Sequence, residues 1–171
     1  MIRVRLETTR DYPTVEHLTE LAFGQAAEAE VVRRVRRENV LNPISLVAVR
    51  NQTIVGHTLF SKISISGTKA SDLLFGLGPV SVHPEHQLHG IGSTLIREGL
   101  AKCASSGSLA CFVLGNPTYY QRFGFRNAYQ AGFWYKKDEN NRAFQVIFWD
   151  NADQHLPPSE VRYAEAFNLA D

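Results

Sequence analysis

Residues Leu77–Cys103 read LGPVSVHPEHQLHGIGSTLIREGLAKC, and this stretch decides the fold. It passes from an apolar strand, through a glycine-bearing turn, into a helix. Gly92, Leu95, Ile96, Gly99, Leu100 and Cys103 recur at helical spacing on one continuous face, while Arg97, Glu98 and Lys102 point away from it. The first N–H groups of such a helix have no partner within it and carry partial positive charge. The turn from Gln87 to Ser93 is therefore expected to cradle an anion. Gly90 and Gly92 let a phosphate approach the backbone, and Ser93 and Thr94 add hydroxyl donors.

Upstream, Gly78-Pro79 interrupts a strand predicted over Asp72–His83. Proline cannot donate to a ladder and glycine weakens one, so a bulge or local splay is expected there. Its backbone groups would then be free to bond something else. Downstream, LACFVL (Leu109–Leu114) is a short buried strand after the serine-glycine turn 105–108. Strand, helix and strand make a crossover with parallel strands.

The remaining elements follow from the same periodicities. Ile2–Leu6 alternates as a strand. Tyr12–Phe23 is an amphipathic helix stopped by Gly24, and Ala26–Glu38 is a second helix. Its Arg33, Arg34, Arg36 and Arg37 read as a solvated face, with contact to an acidic ligand as the alternative. Ile44–Arg50 and Thr53–Ser66 form a hairpin about Asn51-Gln52, and 67–70 is a turn. Pro117 opens a short helix, Thr118–Phe123, ended by Gly124. Phe125 leads into a loop. Ala131–Lys137 and Ala143–Trp149 are two strands joined by the polar turn 138–142. The tail VRYAEAF, 161–167, reads as a surface segment packed back by its aromatics.

A chain of 171 residues is long enough for one domain with a real core, and one domain over 1–171 is expected. The formal net charge of +1 disfavours a nucleic-acid or membrane-surface role. No run approaches the roughly 18 apolar residues of a membrane span, and the N-terminus lacks a signal core. Cys103 and Cys111 have neither metal nor redox spacing and read as buried free thiols, which fits a cytoplasmic setting. His83, His86 and His89 recur every three residues, but Pro84 and Gly90 keep one helix from presenting all three, so no metal site is expected.

Two phosphate-binding turns are ruled out. A P-loop needs Gly-Lys-Ser/Thr, and no lysine stands here. A dinucleotide fingerprint needs a third small residue where Leu95 stands. VSVHPEHQLHGIGSTLI instead resembles the signature of the GNAT superfamily of acetyl-CoA-dependent N-acetyltransferases, on Val82, Pro84, Gln87, Gly90 and Gly92. YYQRFGF resembles the family's Tyr-x-x-x-Gly-Phe segment, on Tyr120, Gly124 and Phe125. LGNPTYYQRFGF with VRYAEAF is similar to a bacterial branch of acetyltransferases, and the likeness extends over nearly the whole chain. One departure stands out: Leu88 and His89 occupy positions where the family commonly has glycine and a basic residue.

The resemblance implies an α/β fold: a mixed, mostly antiparallel sheet of about seven strands, about four flanking helices, and a splayed parallel pair at the cofactor slot. It implies acetyl-CoA as cosubstrate and an amine of a small molecule or protein as acceptor, with direct attack in a ternary complex. Val80, Ser81 and Val82 would offer backbone groups to the pantetheine arm and acetyl carbonyl. Gln87, Leu88, His89, Gly90, Ile91, Gly92 and Ser93 would hold the pyrophosphate, and Asn116 would reach the pantetheine. Tyr120 would donate a proton to the departing thiolate, with Tyr119 as its rival. For the base, Glu30, Asp72, His83, Glu85 or a water chain are open. Trp134 and Trp149 pack in the late strands or line the acceptor pocket. A homodimer is compatible with the fold, though no surface is assigned. The alternative from another class is a non-catalytic acyl-CoA-binding or sensor module.

Overall fold

A computed structural model describes residues 1–38, 42–67, 73–136 and 142–170. The strands in chain order are β1 (Arg3–Leu6), β2 (Ile44–Arg50), β3 (Thr53–Lys62), β4 (Ser64–Ile65), β5 (Leu74–Val82), β6 (Ala110–Leu114), β7 (Arg126–Asn127), β8 (Phe133–Trp134), β9 (Phe144–Phe148) and β10 (Ser159–Arg162). The helices are α1 (Tyr12–Phe23), α2 (Ala27–Glu38), α3 (Ile91–Ser105) and α4 (Pro117–Tyr120). A seven-stranded sheet has the order β1-β2-β3-β5-β6-β9-β7, and a small sheet has the order β4-β10-β8. In the large sheet every pairing is antiparallel except β5 with β6, where α3 supplies the crossover. This is the mixed α/β arrangement expected, with its parallel pair at the centre.

Side-chain alternation sorts the core into two faces. On β6, Cys111 and Val113 meet Phe60, Phe75, Leu77, and Ile96, Leu100 and Cys103 of α3. Ala110 and Phe112 turn the other way, into a cluster with Ile63, Ile65, Phe133, Phe144 and Val161 under the small sheet. On that second face α1 and α2 cover the first strands, through Val15, Val31, Val32, Val35, Val47 and Leu59. Phe60, Phe75 and Phe112 are buried to within 2% of completely. Burial of each contributes about 1.5–3 kcal/mol. Gly99 sets the depth of α3: a Cβ there would lie 2.0 Å from the Phe60 ring.

Several boundaries match the sequence reading, α1 with its left-handed Gly24 among them. Others are corrected. The strand expected over Thr53–Ser66 ends at Lys62, and Ser64–Ile65 crosses to the small sheet. Among the described residues Ala131–Lys137 and Ala143–Trp149 do not pair as a hairpin: β9 lies between β6 and β7, while β8 pairs with β10. Arg126–Asn127, expected in a loop, forms β7. The tail packs back by Tyr163 and Phe167 as expected, but it begins as the strand β10 and is not a surface segment, with Val161 and Ala166 almost fully buried. Lys137, most of the 138–142 turn, most of the 67–70 turn and Asp72 lie outside the described residues.

Of the arginines of α2, Arg34 and Arg37 are exposed as expected, while Arg33 and Arg36 depart from a solvated face. The Arg36 side chain is 7% exposed, pairs with Glu7 and with Glu16 at 3.0 Å, and lies 3.9 Å from the centroid of the Tyr12 ring. Arg33 bridges Glu16 and Glu30. These pairs fasten α2 to α1 and to the end of β1.

Candidate active site

The site begins where β6 leaves β5. Their parallel pairing covers only Leu74–Leu77, against Ala110–Val113. On the other edge, β3 continues to pair, with Phe60 opposite Leu77 and Thr58 opposite Val80. Gly78 and Pro79 therefore bulge opposite Leu59 alone, as the proline and glycine predicted. Beyond the bulge, His83 donates its N–H to Val55 of β3. The ladder's alternation then turns the backbone groups of Val80 and Val82 toward the side that β6 has left, and those of Ser81, like those of His83, toward β3.

The turn before α3 is built for an anion. Leu88 has φ 62° and Gly90, the residue before the helix, has φ 78°. The Gln87 side-chain amide donates to the Val82 carbonyl at 3.1 Å, tying the turn to the end of the strand. His89 Nδ1–H donates to the Gln87 carbonyl at 2.6 Å. Thr94 is the first residue whose N–H bonds back into the helix, to Gly90 at 3.0 Å. The N–H groups of Ile91, Gly92 and Ser93 thus open α3 at its positive end. Leu88 adopts the conformation that glycine favours, with its side chain fully in solvent. The turn keeps its shape with leucine at this position, at a cost of about 1–2 kcal/mol in backbone strain.

A cavity of about 340 Å³ opens at the splay. Leu77, Gly78, Pro79 and Val80 form its floor, and Leu114 and Tyr120 lie at the end of β6 and in α4. Phe23, Glu28 and Val31 come from α1 and α2, and Tyr135, Tyr163, Phe167 and Ala170 close it. Tyr163 packs on Gly76, where a Cβ would lie 2.2 Å from its ring. Its buried hydroxyl has no hydrogen-bond partner among the described residues. The cradle is close by: a Cβ on Gly92 would lie 3.2 Å from the Tyr119 hydroxyl and 3.8 Å from Val80.

Of the adjacent pair, Tyr120 lines the cavity and Tyr119 does not. The Tyr120 ring packs on Gly115 and meets Phe125 edge-on at 5.9 Å. Burial, with Tyr119 and Cys111 nearby, pushes its phenol up to about 12, so it stays protonated at neutral pH. Cys103 and Cys111 are buried free thiols. Desolvation pushes the first up to about 12 and the second well above its ordinary range, so both stay protonated at neutral pH.

Val80, Val82, Gln87–Ser93 and Tyr120 are brought together around the splay. Ser81 lies between the two valines on the same strand, with its side chain buried on the α1 side, where its hydroxyl donates to Thr19 at 3.2 Å. Asn116 sits beside the slot as the N-cap of α4, where its Oδ1 accepts from Thr118 N–H at 2.9 Å. Of the candidate bases, Glu30 is held by Arg33 and Arg34, with its carboxyl below the usual range because of those hydrogen bonds. His83 and Glu85 stand in the turn, where His83 Nδ1 accepts from the Glu85 N–H, and Asp72 is outside the described residues. Sequence reasoning missed Glu28. Its signal was the three-residue step to Val31, which puts both on the cavity side of α2. Trp134 and Trp149 line other surfaces, Trp149 against the α3-side core. Among the described residues no group of three or more His, Cys, Asp or Glu side chains is gathered to hold a metal. None of the described helices is long and apolar enough to cross a membrane.

Residues 3–128 match the family model described as Acetyltransferase (GNAT) domain. The uncharacterised N-acetyltransferase YjhQ of Escherichia coli K12 is 36% identical over 116 residues, 67% of this chain and 64% of its own length. The chain thus spans just under two thirds of YjhQ. The uncharacterised N-acetyltransferase YhbS of the same strain is 30% identical over 96% of this chain and 98% of its own. Its crystal structure in complex with CoA superposes with a TM-score of 0.90, at 29% identity, over 98% of this chain and 92% of that one. A GNAT family acetyltransferase of Brucella melitensis, crystallised with acetyl-CoA, is 34% identical over 98% of both chains with a TM-score of 0.81.

Proposed function

The chain belongs to the GNAT family of acetyltransferases, and from that premise we propose that it moves an acetyl group from acetyl-CoA to an amine by direct attack in a ternary complex. One observation carries the reading: an anion cradle lies on one side of an opened strand edge, and a cavity lined by a protonated tyrosine lies on the other. The domain is taken to extend over 1–171.

The cradle N–H groups from Leu88 to Ser93 receive the pyrophosphate, because a helix N-terminus favours negative charge without any lysine. The unpaired edge of Val80 and Val82 receives the pantetheine arm as an added strand would be received. The acetyl carbonyl then lies at the floor of the cavity, where the Val80 N–H is placed to meet the oxyanion. The acceptor enters as an ammonium ion and sheds one proton to expose its lone pair. The nitrogen attacks the thioester carbon, the C–N bond forms and the C–S bond breaks. The sulfur leaves with the electron pair and takes the Tyr120 proton; the new amide gives up its second proton to water, and the phenol is reprotonated from solvent. The net products are the acetamide, free CoA thiol and one proton.

Thiol release from acetyl-CoA with a panel of amines tests this. Acceptor-dependent release, with the acetamide found by mass spectrometry, supports the enzyme. Saturable acetyl-CoA binding without release from any amine overturns it in favour of a sensor.

A further inference from the structure

The cavity also carries information on the acceptor. We propose that the acceptor is a small amine whose ammonium group is met by Glu28 and whose body is apolar, above all aromatic, bearing no carboxylate or phosphate. This rests on the acetyltransferase reading above and narrows it to a substrate class.

Among the described residues of the wall, Glu28 is the only side chain with a formal charge. The rest is dominated by the rings of Phe23, Tyr120, Tyr135, Tyr163 and Phe167. Among the described residues there, a carboxylate or phosphate on the acceptor would find no arginine or lysine and would lie against aromatic faces and a like charge. Either contact leaves a desolvated anion without a partner. An ammonium group finds the opposite: one carboxylate, and rings whose faces are negative.

Glu28 is prepared for this. It lies half-buried in the first turn of α2, and the Gln25 side-chain amide holds it by donating to both oxygens, at 2.9 and 3.1 Å. It has no ion pair among the described residues, whereas Glu30, two positions on, is occupied by Arg33 and Arg34. The arginines of α2 pair with Glu7, Glu16 and Glu30 and leave the cavity-facing Glu28 open. A carboxylate beside an ammonium ion favours the charged form, so Glu28 acts in binding and the proton departs through water. The volume of about 340 Å³ is at the small end for ligand sites, which run roughly from 300 to 1,000 Å³. It accommodates a thioester end and a compact amine, not a folded protein segment.

Matched amines decide the matter, with initial rates of thiol release measured on the full chain and acetyl-CoA. 2-Phenylethylamine and tryptamine are compared with phenylalanine and tryptophan, and butylamine with O-phosphoethanolamine. The expected result is that kcat/KM falls about a hundredfold or more on adding the acid group, the scale of a buried charge left unpaired. Glu28→Gln should raise KM for tryptamine about tenfold while the dissociation constant for acetyl-CoA is unchanged, which also shows that the variant is folded. Glu28→Asp should recover part of the loss. Amines that are acetylated as well, or better, with the acid group in place overturn this inference and leave the acetyltransferase reading intact. So does a Glu28→Gln enzyme with an unaltered KM for tryptamine. Release from no amine at all overturns both.

Discussion

The rings of Tyr119 and Tyr120 meet edge to face, with centroids 5.0 Å apart and planes at 87°. Neighbours in sequence thus serve different places. Tyr119 has its hydroxyl over Gly92 at the start of α3, and Tyr120 lines the cavity. Replacing each by phenylalanine separates the roles. Tyr120→Phe should lower kcat about 100-fold or more with unchanged acetyl-CoA affinity, as loss of a positioned acid does. Tyr119→Phe should leave kcat near that of the parent. Equal kcat values for the two variants would remove Tyr120 from the acid role.

The left-handed pair in the cradle answers to backbone changes of opposite sign. Leu88→Gly relieves a strained φ at a fully exposed side chain, so thermal unfolding should rise by about 2 °C, net of the extra freedom glycine gives the unfolded chain. Gly90→Ala imposes the same strain and should cost about 1–2 kcal/mol. Calorimetry measures both, and a Leu88→Gly protein that melts lower would show that the leucine is not strained.

His57 predicts acid sensitivity. It is fully buried; its Nε2 pairs with Ser45 Oγ at 2.9 Å, and its Nδ1 has no partner among the described residues. Burial, and then the charge of Arg36, lowers its pKa from 6.5 to about 3. The folded form thus resists a proton that the unfolded chain accepts below about pH 6.5. Its penalty on stability is absent above that pH and grows as pH falls from 6.5 toward 3. Asp11, held well below the usual carboxylate range by Arg5, adds its own loss only below about pH 4. Urea unfolding at pH 7, 6 and 5 should give a falling stability already in the upper window, and His57→Gln should flatten that part. A wild-type curve that is flat down to pH 5 would refute the assignment.

Arg36 fastens α2 to Glu7 and Glu16. Arg36→Ala strands the nearly buried Glu7 carboxylate, a loss of about 3–5 kcal/mol and a melting point lower by about 10 °C or more. Arg36→Met with Glu7→Gln should recover much of it, since a buried pair replaced together costs less than one half removed. Thermal melts of the three proteins, with kcat taken below the transition, check the order.

What the sequence discloses and what it withholds follow one physical line. The α3 face, the Gly78-Pro79 bulge and the stop at Gly24 are written in local periodicity and backbone chemistry, and all of them stand as read. β10 is different. Its partners are two-residue strands, Ser64–Ile65 and Phe133–Trp134, far away in the chain and too short to leave a period. Ala131–Lys137 looked like a strand because Phe133 and Tyr135 are core residues, and burial alone produces an apolar run. Arg36 looked solvated because its acids lie on other elements. Glu28 went unseen for a related reason: only the folded chain shows that Arg33 and Arg34 go to Glu30 while Glu28 faces the cavity.

The sheet divides the site. The phosphate turn opens α3 on one face, while α1, α2 and the small sheet wall the cavity on the other, and the splay after Leu77 is the passage between them. On the proposed reading the two substrates arrive from opposite sides and meet only at the thioester. Neither has to leave for the other to enter, and an acetamide can depart while the spent thiol is still held. Such a molecule has no compulsory sequence of arrival, and its double-reciprocal plots should intersect rather than run parallel.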